Sequence, residues 1–452
     1  MTWLASLLFA MTGMAHDRLQ AGSVRLGRRQ LVGASMDVHV EHHAELDARM
    51  CEAVKPIRLM TDVSWPAQVR DRFLEQWHRG QAELPHVDYP RRDYSVVHAE
   101  LQSIHDAADG QHPLGEYIRR TVVSYQVAAD LLQSLGRPDM FWHSMRLFGR
   151  PGDRLPGSEL SNLDAANHFV ELASDVDTGS LPGDVDYVLS AATMQHELQQ
   201  AMDSFFTGHK VRVEIDPDLT PKAAAGATRI RLRDRTGFTE YDRHQLLEHE
   251  AFVHTLTALN GREQPYLKSL GRSVPRITAT QEGLATFAEL ITGAIDLQRL
   301  KRISLRIIAI DRALNGADFI DVFKLFLNAG QNEIDSFTSA MRVFRGSPVN
   351  GGTAFTKDTV YLHGLLSVHT FFRWALKNRR LNLTHLLFAG KMALHDVFTL
   401  EPMFEQGVIA EPVYLPPWLR RTNGLAGMLA FSLFANRIKI DRVEAEDLVL
   451  GV

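Results

Sequence analysis

Apolar residues recur at helical spacing along most of the chain. Leu46, Met50, Val54 and Ile57 step by three or four positions, and Phe73 to Gln76 sits in a second polar–apolar stretch of the same kind. The segment 86–95 (HVDYPRRDYS) reads as a loop, and the Gly/Pro-rich stretches 136–141 and 149–159 read as breaks. From Val185 the helical pattern resumes and runs through Phe206. The period then changes. KVRVEID (210–216) and TRIRLRD (228–234) alternate apolar and charged residues, with DPDLTPKAAAGA between them. This pattern predicts two antiparallel strands joined as a wide hairpin, placed just before another helix. Residues 278–452 are mainly helical again, interrupted by RGSPVNGGTAFTKD (345–358) and LPPW (415–418). No internal repeat is present. The expected fold class is α+β, predominantly α-helical, with a small antiparallel β-hairpin or sheet.

Composition narrows the function classes. The chain has 452 residues, 45 % of them hydrophobic, and its 49 basic and 54 acidic residues leave a net charge of −5. That balance lacks the bulk basic character of sequence-independent nucleic-acid binding, and no nucleic-acid-binding module is legible. A single cysteine, Cys51, excludes an intrachain disulfide and a zinc site of several thiolates. Twenty histidines remain, so any bound metal must be held by His and carboxylate. The 345–358 loop has none of the strand-to-helix context of a phosphate cradle.

At the N-terminus, an apolar run from Trp3 to Met11 ends in Gly13 and Ala15, as in a secretory signal. The basic residues Arg18, Arg25, Arg28 and Arg29 follow the run instead of preceding it. The favoured expectation is that translation starts at Met36 and that residues 1–35 are a disordered extension. No later run reaches ~18 uninterrupted apolar residues, so no membrane span is expected and a cytoplasmic location is.

The most informative segment is YDRHQLLEHEAFVHTLTALNG (241–261), read as one helix with Asp242 as N-cap and Asn260-Gly261 as its stop. Five ligand or acid/base groups, His244, Glu248, His249, Glu250 and His254, fall within 11 residues. Zinc peptidases place two His one turn apart in H-E-x-x-H. Here the separation in His249-Glu250-x-x-x-His254 is five residues. On an ideal α-helix that turns the second imidazole by about 140°, against about 40° for a separation of four. Both rings reach one ion only if the helix widens locally, as in a π-bulge, or ends early. A second helix starts at TATQEGLA (278–285), where Thr278 and Gln281 stand in capping-box relation and Glu282 lies 28 residues after His254. Glu282 has two readings, a third metal ligand from the following helix or a carboxylate complementing the helix dipole.

The pair H-E-x-x-x-H and Q-E-G-L-A, in that order, resembles the QEGLA-motif proteins. Their bacterial members carry a flavohaemoglobin expression-modulating label, and their animal relatives are the tyrosine (microtubule-associated) carboxypeptidases. Further stretches match this family: HTLTALNGREQP (254–265), RVFRGS (342–347), GGTAFTKDTVYLHG (351–364), LLFAGK (386–391) and YLPPW (414–418). The resemblance covers roughly residues 45–420. It implies a gluzincin-like metallopeptidase region over 181–420, preceded by a helical region over 37–180 and followed by a helical or extended tail over 421–452. It also implies one zinc per chain on His249, His254 and Glu282, with Glu250 as the general base acting on a metal-activated water. The implied reaction is removal of a C-terminal residue, tyrosine or another aromatic, from a peptide or protein.

A carboxypeptidase needs a cation near the terminal carboxylate. The loop region offers Arg342, Arg345 and Lys357, with Tyr361 as a candidate donor to the oxyanion. The strands of 210–234 offer an edge along which substrate backbone can add. The sequence carries no signal for an oligomeric state.

Two other readings use the same residues. Glu250/His254 and His244/Glu248 are pairs four apart, and with Glu282 and Glu289 they sketch a carboxylate–His di-metal oxidase. Alternatively, the chain is a non-enzymatic regulatory or binding protein with a structural metal site. Of the remaining histidines, His196 lacks a second ligand because positions 200 and 201 are Gln and Ala. His39, His42 and His43 read as surface residues, and His363 and His369 as ordinary polar positions, with a second reading of His363, next to Tyr361, as a residue supporting the metal ligands.

Overall fold

The structure is a computed structural model that describes residues 38–175, 188–217, 219 and 221–437. The expectations for residues 1–35, including the signal-like segment, and for the end of the tail lie outside these residues.

Helices α1 (Val38–Ala53), α2 (Ala67–His78), α3 (Ser95–Ala107), α4 (Pro113–Gln133), α5 (Met140–Phe148), α6 (Asn162–Asp175) and α7 (Ala191–Phe205) form the first half. The periodic residues Leu46 and Met50 of α1 and Phe73 of α2 are buried as their spacing predicts, whereas Val54 and Ile57 lie beyond the end of α1. The longest of these helices, α4, starts at a Pro in its first position and presents Tyr117, Ile118, Val122, Tyr125 and Leu132 to the core.

A three-stranded sheet follows, made of β1 (Arg212–Asp216), β2 (Ala223–Ala225) and β3 (Arg229–Arg233) in the order β1-β3-β2. The two alternating segments are both strands, as expected, but their pairing is parallel, with Val213 opposite Ile230 and Ile215 opposite Leu232. The antiparallel hairpin is made by the intervening Lys-Ala-Ala-Ala segment. It turns at Gly226, whose N–H donates to Arg229 O, so that β2 runs against β3. One reversal between β1 and β3 would make them antiparallel, and the second reversal, supplied by β2, makes them parallel.

The next helix changes type twice along one axis: α8 (Glu240–Leu246), a π segment (Leu247–Thr255) and α9 (Leu256–Arg262). Then come α10 (Thr278–Thr292), α11 (Leu297–Leu314), α12 (Phe319–Asn328), α13 (Glu333–Phe344), α14 (Val360–Lys377), α15 (Leu394–Glu405) and α16 (Thr422–Ala435). The largest apolar core joins α1, α3, α4, α7, the sheet, the π segment, α10, α14 and α15. A second core is an aromatic stack of Trp65, Phe73, Phe319, Phe323, Phe337 and Phe344 under α2, α12 and α13. Among the described residues no helix is long and apolar enough to cross a membrane.

Helix α10 sits at the centre of the large core, buried from Gly283 to Glu289. It crosses α14 in backbone contact. A Cβ on Gly283 would lie 2.2 Å from the Gly364 carbonyl carbon, and one on Gly364 would lie 2.2 Å from Ala279 O. The glycine of the QEGLA stretch therefore sets the approach of α14, and with it the turn Thr356–Thr359 that leads into α14.

Candidate metal centre

Local sequence makes the π segment. Thr239, one residue before α8, caps it by accepting from Asp242 N (3.1 Å), while the Asp242 carboxylate accepts from Thr239 N (2.9 Å). Asp242 is thus the third residue of a capping box and not the N-cap. The hydrogen bonds then lengthen to the i−5 carbonyl, as in Leu256 N to Ala251 O. Thr255 Oγ1 donates to Gly226 O (3.0 Å), tying the end of the widened turn to the sheet. The helix continues through Asn260-Gly261 to Arg262. Asn260 is no stop: its amide donates to Phe388 O and Tyr414 O, both at 2.8 Å. In an i→i+5 ladder, residues five apart share a face. The His249 and His254 rings accordingly lie 4.8 Å apart between centroids, nearly perpendicular at 82°.

Glu282 of α10 completes a group of three donors. One ligand atom from each of His249, His254 and Glu282 lies within 4.8 Å of the others. Glu282 Oε2 stands 3.6 Å from His249 Nε2 and 3.7 Å from His254 Nε2. Donors about 2.1 Å from a shared tetrahedral ion are about 3.4 Å from one another, and the two distances from Glu282 to the histidines are close to that. Two imidazole nitrogens and one carboxylate, with a fourth position left open, are the donor chemistry of a catalytic zinc site. These residues fit the ion.

The outward-facing atoms of all three residues are held. His249 Nδ1 donates to Glu289 Oε1 at 2.6 Å, and Glu289, fully buried, also accepts from Arg299 Nη2 (3.1 Å) and Nε (3.2 Å). His254 Nδ1 donates to Gln281 Oε1 at 3.4 Å, and the same oxygen accepts from Thr257 Oγ1 at 3.1 Å. Lys357 Nζ donates to Glu282 Oε1 at 3.0 Å. Such partners fix which ring nitrogen carries the proton and leave Nε2 free to face a metal ion. Charges follow the same pattern. Burial disfavours ionisation of Glu282, yet Lys357 and the two histidines hold its carboxyl well below the usual range. Burial opposes a charge on Glu289 too, but Arg299 and His249 bring it to about 2.

Sequence spacing had pointed Gln281 toward Thr278 as a capping pair. Instead, α10 starts without a side-chain cap, Thr278 Oγ1 donates to Pro275 O (2.7 Å), and Gln281 turns to His254. Glu289, Gln281 and Arg299 are the residues that sequence reasoning missed as supports of the ligands. A signal existed for Glu289, which lies seven residues after Glu282, two turns along one helix face.

The other expected site residues separate into two groups. Glu250 follows His249 in the π segment, partly exposed, and its charge acts on His249 and Lys391. Lys357 and Tyr361 stand beside the donor group, with the Lys357 ammonium 5.3 Å from the Tyr361 ring centre. Arg342 is clamped by Asp358 through two bonds of 2.6 and 2.7 Å. Burial opposes its charge, but Asp358 and Tyr361 raise its pKa above the ordinary value. Arg345 packs over Phe355, 5.1 Å from the ring centre and 7 % exposed.

Elsewhere, His244 and Glu248 are not in the donor group. Glu248 is buried, and desolvation alone pushes its carboxyl up to about 8. His39 and His42 are exposed as expected. His43 is fully buried, however, stacked 4.8 Å from His112 with its Nδ1 donating to His39 O (2.7 Å). His363 bonds to Arg154 O and Ser367, away from the donors.

The model of the microtubule-associated tyrosine carboxypeptidase family matches residues 71–437, which include every ligand and supporting residue described above. The chain belongs to this family. Membership implies carboxypeptidase activity, in line with the resemblance carried by H-E-x-x-x-H and QEGLA. No curated protein matches the chain. Among solved structures, a protein from Colwellia psychrerythraea described as a lipoprotein is similar at 16 % identity, covering 81 % of this chain and 73 % of that one with a TM-score of 0.42.

Proposed function

We propose that this member of the family is a zinc-dependent carboxypeptidase that removes a C-terminal tyrosine or other aromatic residue from a peptide or protein. The observation that carries the reading is the convergence of His249 Nε2, His254 Nε2 and Glu282 Oε2, each with its opposite atom already bonded, beside a partly exposed Glu250. One zinc on these three residues supplies Lewis acidity toward water and toward the scissile carbonyl. Glu250 takes the proton of the attacking water on its carboxylate and passes it to the departing amine. The strand β2, at one edge of the sheet and packed beside the π segment, offers backbone groups along which the substrate lies as an added strand. The Tyr361 hydroxyl, on the Lys357 side of the centre, is the candidate donor to the developing oxyanion.

Glu289 is occupied by His249 and Arg299, which favours a single ion over a di-metal oxidase. A purely structural metal site has no use for a carboxylate in the position of Glu250. The test is incubation of the zinc-loaded protein with a peptide library, followed by mass spectrometry of the termini, with a chelator control and metal analysis. The reading expects one zinc per chain and chelator-sensitive loss of single C-terminal residues. Two irons per chain, or no residue released from any peptide, contradicts it.

A further inference from the structure

A carboxypeptidase must hold the free carboxylate of the last residue, and most cations near the donor group already have anions. Arg342 is clamped by Asp358, Lys357 is bonded to Glu282, and Arg299 to Glu289. Arg345 forms no ion pair with a described residue, but it packs on Phe355, and the groups acting on it are Arg342, Asp358, Tyr361 and Tyr89, none of them in the donor group.

Lys391 differs. Its backbone is fixed to the element that carries the ligands: Lys391 N donates to Leu270 O (2.7 Å), Gln264 Nε2 to Ala389 O (3.0 Å) and Asn260 Nδ2 to Phe388 O (2.8 Å). Two glycines make the approach possible. A Cβ on Gly390 would lie 2.8 Å from Leu270 Cβ, and one on Gly261 would lie 1.9 Å from Leu270 O. Asn260 sits on the helical continuation of the His249–His254 turn and Gln264 two residues past its end, so residues 388–391 are registered to the proposed metal ligands. The Lys391 side chain is 6 % exposed. Of its three N–H groups, one meets an acceptor, Ser273 Oγ at 3.1 Å, and it forms no ion pair with a described residue. The charged groups acting on it are Glu250 and Glu282, the proposed base and the proposed ligand. A buried ammonium without an anion is costly unless a ligand supplies one. Consistently, desolvation pulls its pKa down to about 8 against the pull of those two carboxylates.

We propose that the Lys391 ammonium, oriented by Ser273, binds the α-carboxylate of the substrate's C-terminal residue. The proposal rests on the carboxypeptidase reading and names the group that makes the site specific for chain ends.

The test is equilibrium dialysis of acetylated dipeptides ending in each standard residue, as free acids and as C-terminal amides. The zinc-loaded Glu250→Gln protein is compared with Glu250→Gln/Lys391→Met, with circular dichroism and zinc content verifying that both are folded and loaded. Removing one partner of a buried charged pair costs about 2–5 kcal/mol, so Glu250→Gln should bind its preferred free acids at least ~30-fold more tightly than their amides. With Lys391→Met the two should bind alike. An acid-over-amide preference that survives Lys391→Met overturns the proposal, as does its absence from Glu250→Gln. If the preference is present and depends on Lys391, but the wild-type protein releases no residue, the carboxypeptidase reading fails while the carboxylate site stands.

Discussion

The most demanding claim about the centre is that Glu289 acts on the metal through His249, and Glu289→Gln tests it. The carboxylate is fully buried, accepts the His249 Nδ1 proton at 2.6 Å and carries both bonds from Arg299. Glutamine preserves shape and one acceptor but removes the charge. Two consequences follow, and they separate experimentally. The fall of the Glu289 pKa from 4.5 to about 2 corresponds to about 3 kcal/mol of folding stability. Because that pKa is depressed, the contribution is present above about pH 4.5 and is lost as pH falls through about 2. The value agrees with the ~3–5 kcal/mol typical of a buried ion pair left with one partner. Independently, loss of the group orienting a ligand histidine weakens metal binding by about 10–100-fold, or ~1.4–2.7 kcal/mol. Denaturant unfolding of the metal-free protein measures the first quantity, and zinc competition with a chromophoric chelator measures the second. Adding Arg299→Met should restore most of the stability, because it removes the orphaned cation, without restoring zinc affinity. Unchanged zinc affinity in Glu289→Gln would refute the reasoning and leave Glu289 as the anion for Arg299 alone.

Two further outcomes follow from the packing. Gly283→Ala places a methyl 2.2 Å from the backbone of α14, so the helices must part. The expected loss is about 1–3 kcal/mol or more, with weaker zinc binding as Lys357 moves from Glu282, read by thermal melting and chelator competition; an unchanged Tm contradicts it. Asp47 is buried and accepts from Ser269 N (3.0 Å) and Ser269 Oγ, and burial raises its pKa from 3.8 to about 6. Its stabilising contribution is therefore complete below about pH 4 and lost as pH rises through about 6, a change of about 3 kcal/mol. Asp47→Asn should flatten the stability profile between pH 4 and 7 in denaturant titrations, and an unaltered slope would contradict this.

Much of the site was legible because its chemistry imposes spacing. A separation of five positions between His249 and His254 demanded a widened helix, and a π segment is present. Glu282 stood out as a carboxylate at the start of a strongly apolar helix. Pairing was not legible. Alternation marks a strand but names no neighbour, and the three alanines of β2 carry no alternation, so the sheet was expected as one hairpin. The Thr278/Gln281 spacing satisfies a capping pattern that the preceding turn at Pro275 makes unnecessary, which freed Gln281 for His254. The cations Arg342, Arg345 and Lys357 were recognised as a cluster by sequence proximity, yet Arg342 is paired with Asp358, Lys357 with Glu282, and Arg345 packs on Phe355 without an ion pair to a described residue, which only tertiary structure shows. His43 looked like a surface residue because stacking on His112 leaves no apolar period.

The central claim is that the His249–His254–Glu282 centre, with Glu250, cleaves the last residue from a peptide chain. Terminal mass spectrometry of a peptide library treated with wild-type protein and with Glu250→Gln, both carrying one zinc per chain, tests it most directly. The account predicts loss of single C-terminal residues with the wild-type protein and collapse of that loss in Glu250→Gln at unchanged zinc content. Equal release by both proteins, or release by neither, contradicts it.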